Sequence, residues 1–254
     1  MTRGTFGETR VWDDFLGPDN DLTWGAGTIK IGNFGFVSVN EGTYEWTIDE
    51  PGGIVAFTTD TGDNDNCALF AGTFQPSLGG CETEWRVKFN SATLGAVYIG
   101  FSETLALATP VMPAEFDTVT MTYNGSGGMM GANLDTDATT NDFRMVGGDG
   151  GAVSGNADAN GTRANETITA DEWYIVRTEI NPDGGGQVYV GHKGDQLDLI
   201  TTSDAVHGTS FAGAIVTATD QQYAVCMFEN RSAAARVFEV DYGFARGWRD
   251  WTNT

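Results

Sequence analysis

Acidic residues that share one face of a strand are the first candidates for chemistry in this sequence. Two carboxyls held close together can cleave a glycosidic bond, one as nucleophile or base and the other as acid. Glu239 and Asp241 lie two residues apart in the run FEVDYGF, the spacing that puts strand side chains on one face. Glu82 and Glu84 have the same spacing. Because they alternate with apolar residues, we expect them to be solvent-facing acids that keep the chain soluble.

Histidine and cysteine chemistry has few candidates. The two histidines, His192 and His207, each stand next to a glycine in a predicted loop, so a Ser–His–acid or Cys–His site is not indicated. The three cysteines, Cys67, Cys81 and Cys226, are odd in number, have strand-like neighbours and lack zinc-ligand spacing. We therefore predict buried free thiols instead of a disulfide framework.

Two segments concentrate oxygen ligands of the kind that calcium prefers. They are DTGDNDN at 60–66 and LDTDATTND at 134–142. Neither follows the twelve-residue order of an EF-hand with its terminal Glu, and Asp and Asn are common in any exposed turn. We assign no cofactor and no metal to the chain, with calcium as the one ion that these segments would suit.

The two ends of the chain differ in charge from the rest. Residues 1–12 and residues 231–251 each carry a net charge of +1, whereas the whole chain carries −22. If the first and last strands pair, these ends lie together, and Trp and Arg are enriched where proteins bind partners. We predict a partner-docking edge, although polar chain ends are the simpler alternative. The docking residues would be Arg3, Arg10, Trp12, Arg246, Trp248, Arg249 and Trp251.

Alternating apolar and polar residues indicate the elements that must position these side chains. The clearest example is 81–89, with Cys, Thr, Trp, Val and Phe on one face and Glu, Glu, Arg and Lys on the other. The segment 171–193 has two such runs joined by a glycine turn, which predicts a hairpin. Near-continuous apolar runs at 95–101 and 222–229 predict strands covered on both faces. Short strands with frequent turns predict an all-β sandwich or barrel.

One long segment breaks this pattern. Residues 124–165 contain ten glycines and only brief apolar patches. We predict a Gly-rich excursion that carries a short strand or two, with a disordered insertion as the alternative. The remaining pattern predicts a single domain over 1–254 with an N-terminal arm at 1–12.

The charge excludes some partners and suggests a location. A net charge of −22 repels phosphate and anionic lipid, so we expect no nucleic acid and no membrane partner. The chain has no apolar run near the ~18 residues that a membrane span needs. Its first residues, MTRGTFGETRVW, lack the apolar stretch of a signal peptide, so we expect synthesis in the cytoplasm.

Two runs resemble the concanavalin-like, laminin-G-like jelly-roll superfamily. The hairpin DEWYIVRTEINPDGGGQVYVGHKGDQLDLI is similar to one common there, and ARVFEVDYGFARG resembles its last strand. VWDDFLG and Trp24 resemble a first strand that pairs with that last strand. The resemblance implies an antiparallel two-sheet jelly-roll β-sandwich with six or seven strands in each sheet. Glucanases of the superfamily use Glu-x-Asp-x-x-Glu, but Phe244 stands at the last acidic position, so we predict that the chain is not an enzyme.

The acidic, glycine-rich composition also resembles structural proteins of tailed bacteriophages. This resemblance implies a capsid decoration or cement protein that binds the assembled head and stabilises it without covalent bonds. Its partner would be the major capsid protein or another virion protein, and it would form a dimer or trimer. It would be synthesised in the host cytoplasm and would be located on the capsid surface. The alternative is a carbohydrate-binding, lectin-like module that binds a glycan, for example in head-fibre or tail-associated adhesion.

Overall fold

The part of the chain that the computed structural model describes is all-β, with a short 3-10 turn at Pro76–Leu78. All pairings between the described strands are antiparallel, and an isolated bridge between Thr118 and Ala138 is parallel. The structure describes residues 7–15, 22–24, 27–39, 42–47, 53–93, 95–106, 110–118, 120–124, 127–138, 141–149, 152–153, 162–163, 168–192, 198–199 and 215–248.

The first of two large sheets contains both ends of the described chain. Its nine strands are β1 (Glu8–Asp13), β2 (Leu22–Trp24), β5 (Gly42–Trp46), β6 (Val55–Thr59), β8 (Cys81–Phe89), β16 (Tyr174–Ile180), β17 (Gly186–His192), β18 (Asp198–Leu199) and β20 (Val237–Trp248). The spatial order is β18-β17-β16-β8-β20-β6-β5-β2, and β1 pairs with β20. The predicted pairing of first and last strands is confirmed for β1, with Trp12 opposite Phe244.

The second sheet packs against the first. Its nine strands are β3 (Gly27–Ile31), β4 (Phe34–Ser38), β7 (Asn66–Phe74), β9 (Gly95–Ser102), β12 (Met129–Asp135), β13 (Arg144–Asp149), β14 (Ala152–Val153), β15 (Thr162–Arg163) and β19 (Gln222–Asn230). The order is β14-β13-β12-β9-β19-β7-β4-β3, with β15 on β13. A separate hairpin consists of β10 (Ala114–Asp117) and β11 (Thr120–Tyr123).

Large aromatic side chains fill the space between the sheets. Trp85 is fully buried, its ring centroid lies 4.6 Å from that of Phe34, and its indole N–H donates to Thr83 Oγ1 at 2.8 Å. The Thr83 hydroxyl in turn donates to the carbonyl oxygen of Phe244 at 2.9 Å. The alternation predicted for 81–89 is therefore confirmed, with its odd-numbered residues in the core. The three cysteines are free and buried, as predicted.

The two outer faces of the sandwich differ in how they are covered. On the second sheet, Tyr98, Met129 and Met227 are buried in a second apolar cluster that includes Met112 and Phe116, from the hairpin and the segment before it. On the first sheet, the outward residues of β8, β16 and β20 alternate with buried ones and, except for Glu82, stay partly exposed. Among the described residues, the outer face of the first sheet is therefore the more accessible of the two outer faces.

Three sequence expectations differ from the structure. The sheets have nine strands each within the described residues, more than six or seven, because several strands of two or three residues extend the edges. Trp24 lies in β2, which pairs with β5 and not with the last strand. In the segment predicted as an excursion, residues 129–135 and 144–149 are integral strands of the second sheet. Within the described residues no helix has the length and apolar character that a membrane crossing requires.

Candidate binding site on the outer face of the first sheet

Paired charges cover the outer face of the first sheet. In β8 the even-numbered residues point outward, and in β20 the register shifts between Val240 and Tyr242, so that both Asp241 and Tyr242 lie on the outer side. Six acids and five bases meet on this face, which leaves a net charge of −1 on a chain of −22. The charged set is Glu8, Glu82, Glu84, Glu179, Glu239 and Asp241 with Arg10, Arg86, Lys88, Arg177 and Arg246.

Glu82 lies at the centre of this network. Its Oε1 accepts from Arg177 Nη2 at 2.7 Å, and its Oε2 accepts from Arg246 Nε at 2.6 Å. Arg246 Nη1 also lies 3.4 Å from Glu8 Oε1, and Arg10 Nη2 lies 2.8 Å from Glu8 Oε2. The bond from Arg10 lowers the pKa of Glu8. Glu82 is only 7% exposed, so the expectation of a solvent-facing acid is wrong for it, because two arginines replace water.

The two acids of the FEVDYGF run are also ion-paired. Glu239 Oε2 lies 2.6 Å from Lys88 Nζ, and Asp241 pairs with Arg86. The Trp173 ring lies over both cations, 4.5 Å from the Arg86 guanidinium carbon and 4.8 Å from the lysine nitrogen. These carboxylates are therefore neutralised on the sheet surface and do not face each other across a cleft.

A pocket of about 310 Å³ opens where β8 and β16 meet the end of β20. The Trp248 indole forms one wall, and Arg246 and Glu82 lie beside it. Glu179 of β16 and Asn181, in the turn between β16 and β17, also line the pocket. Gly79, Gly80, Cys81, Ile180 and Pro182 complete the lining.

Glycine at position 79 makes room for the indole. Gly79 follows the 3-10 turn with φ of +151°, and a Cβ there would lie 2.4 Å from Cδ1 of Trp248. A side chain at this position would therefore displace the indole from the pocket wall. The glycine that follows the 3-10 turn therefore leaves the space that the Trp248 indole occupies.

Several polar groups in the pocket keep hydrogen-bonding capacity. Glu179 Oε1 lies 2.9 Å from Arg177 Nε, and among the described residues no bond to its Oε2 is formed. Burial, reinforced by the nearby Glu82 carboxylate, raises the pKa of Glu179. In the same described set, no partner bonds to Trp248 Nε1 or to the Asn181 side-chain amide. As far as the described residues go, the pocket therefore combines one aromatic side chain with polar groups that can still form hydrogen bonds.

An exposed aromatic ring lies on the same face. Trp12 is 50% exposed, and its ring stacks on Tyr242 with centroids 5.1 Å apart and 22° between planes. Phe244 packs against its other edge at 6.3 Å. The Tyr242 hydroxyl donates to Glu84 Oε1 at 2.7 Å, which fixes the supporting ring.

The structure brings four of the seven predicted docking residues together. Arg10, Trp12, Arg246 and Trp248 all lie on the outer face of β1 and β20. The two arginines are engaged by Glu8 and Glu82, so the face is close to neutral and not basic. Their role in docking a partner stays a prediction. The other three docking residues, Arg3, Arg249 and Trp251, lie outside the described residues.

A second polar cluster, which the sequence analysis did not identify, lies at one end of the second sheet. The buried Arg231 guanidinium contacts Glu229 at 2.5 Å, Asp135 at 2.8 Å and Glu115 at 3.3 Å. Burial raises the pKa of Glu229 to about 8, despite the opposing effect of Arg231. The sequence feature that could have indicated this cluster is Glu229, an acid at the end of the apolar run 222–229.

Arg231 supplies the positive charge of that cluster. Asp135, in the candidate calcium segment 134–142, also accepts from the Phe116 backbone N–H at 2.9 Å. In the other segment, Asp65 accepts from Gly62 N–H at 3.2 Å. Among the residues that the structure describes, no group of three or more His, Cys, Asp or Glu side chains is arranged to hold a metal ion.

The histidines also differ from expectation. His192 ends β17, where its ring stacks on Tyr174 at 4.8 Å and its Nε2 contacts Glu172. The loop position predicted for it is wrong, because strand pairing with β16 extends through Tyr174 and His192. His207 lies outside the described residues.

Comparison with known proteins supports the fold. Neither a family model nor a curated protein matches the chain. A protein of unknown function from Shewanella oneidensis MR-1 matches with a TM-score of 0.50 and 14% identity over 98% of this chain and 90% of that one. Peanut lectin matches with a TM-score of 0.51 and 9% identity over 92% of this chain and 100% of its own. An endo-1,3-beta-glucanase from Streptomyces sioyaensis has a TM-score of 0.49 and 12% identity, covering 96% and 98%.

At identities this low, the likeness shows the fold. The sandwich is a concanavalin-like jelly roll. The architecture expected from the two quoted runs is therefore confirmed.

Proposed function

We propose that the protein is a carbohydrate-binding module whose pocket beside Trp248 receives a sugar. The observation that carries this proposal is the pocket itself, whose lining includes the Trp248 indole, the Glu179 carboxylate, the Asn181 amide and the half-exposed Arg246 guanidinium. Binding sites for small ligands combine apolar walls with a few placed polar groups.

The chemistry of a sugar fits these walls. The C–H face of a sugar ring is apolar and packs against an aromatic face, whereas its hydroxyls need donors and acceptors. Arg246 and Asn181 supply donors, and Glu179 supplies an acceptor. Each of these groups is already oriented by the sheet or by the turn between β16 and β17, which lowers the entropy cost of binding.

The fold agrees with this proposal but does not establish it. Peanut lectin shares the jelly roll, and a fold by itself does not determine function. The argument therefore depends on the pocket residues of this chain.

We propose binding without hydrolysis. Retaining glycosidases hold two carboxyls ~5–5.5 Å apart, one of them free to donate a proton to the leaving oxygen. Here Glu239 and Asp241 are held by Lys88 and Arg86. Glu82, which lines the pocket together with Glu179, is held by Arg177 and Arg246. We expect no release of reducing ends from any polysaccharide that the protein binds.

The test is electrophoresis through gels that contain laminarin, galactomannan or hydroxyethylcellulose, with alginate as an anionic comparison. We expect at least one neutral polysaccharide to retard the wild-type protein. Trp248→Ala should weaken that retardation about tenfold, the effect of losing roughly 1.4 kcal/mol of aromatic packing. Val111→Ala, which trims an exposed side chain away from the pocket, is the control. Equal retardation of Trp248→Ala and wild type would overturn the proposal.

Capsid decoration stays a prediction. The outer face of the first sheet is close to neutral and not basic, because Arg10 and Arg246 are paired with Glu8 and Glu82. Three further expectations depend on that prediction: the virion partner, the dimer or trimer, and the location on the capsid. Co-sedimentation with intact virions tests them together.

A further inference from the structure

Trp12 is an aromatic ring held at the surface. It and Val111 are the two large hydrophobic residues exposed in the described part of the chain. Because Tyr242 stacks beneath it and Phe244 packs beside it, the ring is supported in a fixed orientation. A flat, supported and half-exposed indole is suited to packing against another ring.

The ring lies in line with the pocket. Trp12 faces Phe244 across the β1–β20 pairing, and Trp248 is four residues further along β20. An even separation keeps Phe244 and Trp248 on one face. At roughly 3.4 Å per residue, the two tryptophans are about 14 Å apart along the strands.

Polar groups occupy the surface between the two rings. Arg10 and Arg246 lie directly opposite each other in the β1–β20 register. Their side chains are 55% and 42% exposed, and Glu8 and Glu82 hold them in place. Guanidinium groups fixed by carboxylates keep further N–H donors for hydroxyl groups.

The charge of the face indicates the class of ligand. The near-neutral outer face contrasts with the −22 of the whole chain, which repels anionic polymers. Two aromatic rings separated by a row of ion-paired donors match a neutral polymer with alternating apolar faces and hydroxyls.

We infer that Trp12 is a second subsite, and that the site takes an internal segment of an extended neutral polysaccharide instead of a single sugar or a chain end. This inference rests on the proposed function of the Trp248 pocket. The polysaccharide lies along β20, with one sugar in the pocket and a more distant sugar on Trp12.

Calorimetric titration with short and long oligosaccharides tests this inference. The probes are the disaccharides and hexasaccharides of the cello-, laminari- and manno- series. Trp12→Ala should weaken hexasaccharide binding about tenfold, equivalent to 1.4 kcal/mol, and leave disaccharide binding unchanged within about twofold. Trp248→Ala should weaken both. Trp12→Phe keeps a ring and should retain most of the affinity, and Val111→Ala should match the wild type.

The outcomes separate the two proposals. If no oligosaccharide binds, or if Trp248→Ala has no effect, the proposed function fails and the subsite fails with it. If Trp248 matters but Trp12→Ala leaves hexasaccharide binding unchanged, or weakens disaccharide binding equally, only the second subsite is overturned. If the wild type binds no sugar but sediments with virions, and Trp12→Ala no longer does so, then Trp12 belongs to a protein interface instead of a sugar subsite. Unchanged circular dichroism and melting temperature verify that each variant is folded.

Discussion

Single side chains on the outer face of the first sheet depend on partners that are distant in sequence. Glu82 binds Arg246, which is 164 residues further along the chain. The local pattern shows that Glu82 faces away from the core, but not that two arginines reach it. The sequence therefore predicted the orientation of Glu82 and missed its burial. Trp248 and Arg246 were identified because two aromatic and two basic residues cluster at the end of the sequence, and the structure places these two within the last strand, β20.

Glu229 shows how burial changes the chemistry of one residue. Its side chain is 2% exposed, and its pKa is raised from 4.5 to about 8 because desolvation outweighs the attraction of Arg231. Between these two values the folded protein keeps a proton that the unfolded chain has lost. Since the native state binds more protons in this window, stability falls as pH rises from about 4.5 to 8.

Glu229→Gln should remove this pH dependence. Glutamine has the shape of a protonated glutamate and does not titrate, so the variant gains stability relative to wild type as pH rises through that window. We expect a relative gain of roughly 1 kcal/mol or more, since one pKa unit corresponds to about 1.4 kcal/mol. Urea unfolding at several pH values measures the difference. A difference that stays constant with pH would contradict the account.

At the scale of elements, alternation predicted the strands best where one face is buried. β8 and the β16–β17 hairpin have that pattern, and both are confirmed. At 124–165, where the glycines predicted an excursion with a short strand or two, the described residues include β12 and β13 of the second sheet. In β12, Gly131 lies opposite Gly100 of β9, and a Cβ on it would lie 2.5 Å from the Ile99 carbonyl oxygen. Here glycine permits close contact between the neighbouring strands β12 and β9. The amino-acid composition of the segment does not reveal this role.

Gly131→Ala should therefore destabilise the fold. The added methyl meets backbone atoms of β9, which cannot rotate away, so we expect a loss of about 1–3 kcal/mol. Gly72→Ala is the matched control, because a Cβ at Gly72 in β7 would meet nothing within 4 Å. Its effect should be within roughly 0.5 kcal/mol. Chemical denaturation compares the two variants, and equal stabilities would show that the β9–β12 contact is not tight.

At the scale of the whole molecule, charge is distributed unevenly. The outer face of the first sheet has ion-paired residues and a net charge of −1, so the rest of the chain carries nearly all of the −22. Self-repulsion of this size keeps the protein soluble and disfavours anionic partners. One open, neutral, aromatic face on an acidic jelly roll is the arrangement from which we infer glycan binding.

Calorimetric titration of the full chain with the retarding neutral polysaccharide, at low and physiological ionic strength, tests this claim most directly. Screening changes strongly between these conditions, from a Debye length of about 30 Å at 0.01 M to about 8 Å at 0.15 M. We predict that the affinity of the wild type changes less than about twofold with salt, because the recognised groups are neutral. We also predict that Trp248→Ala loses this affinity. No binding by the wild type, or binding that falls steeply with salt, would contradict the account.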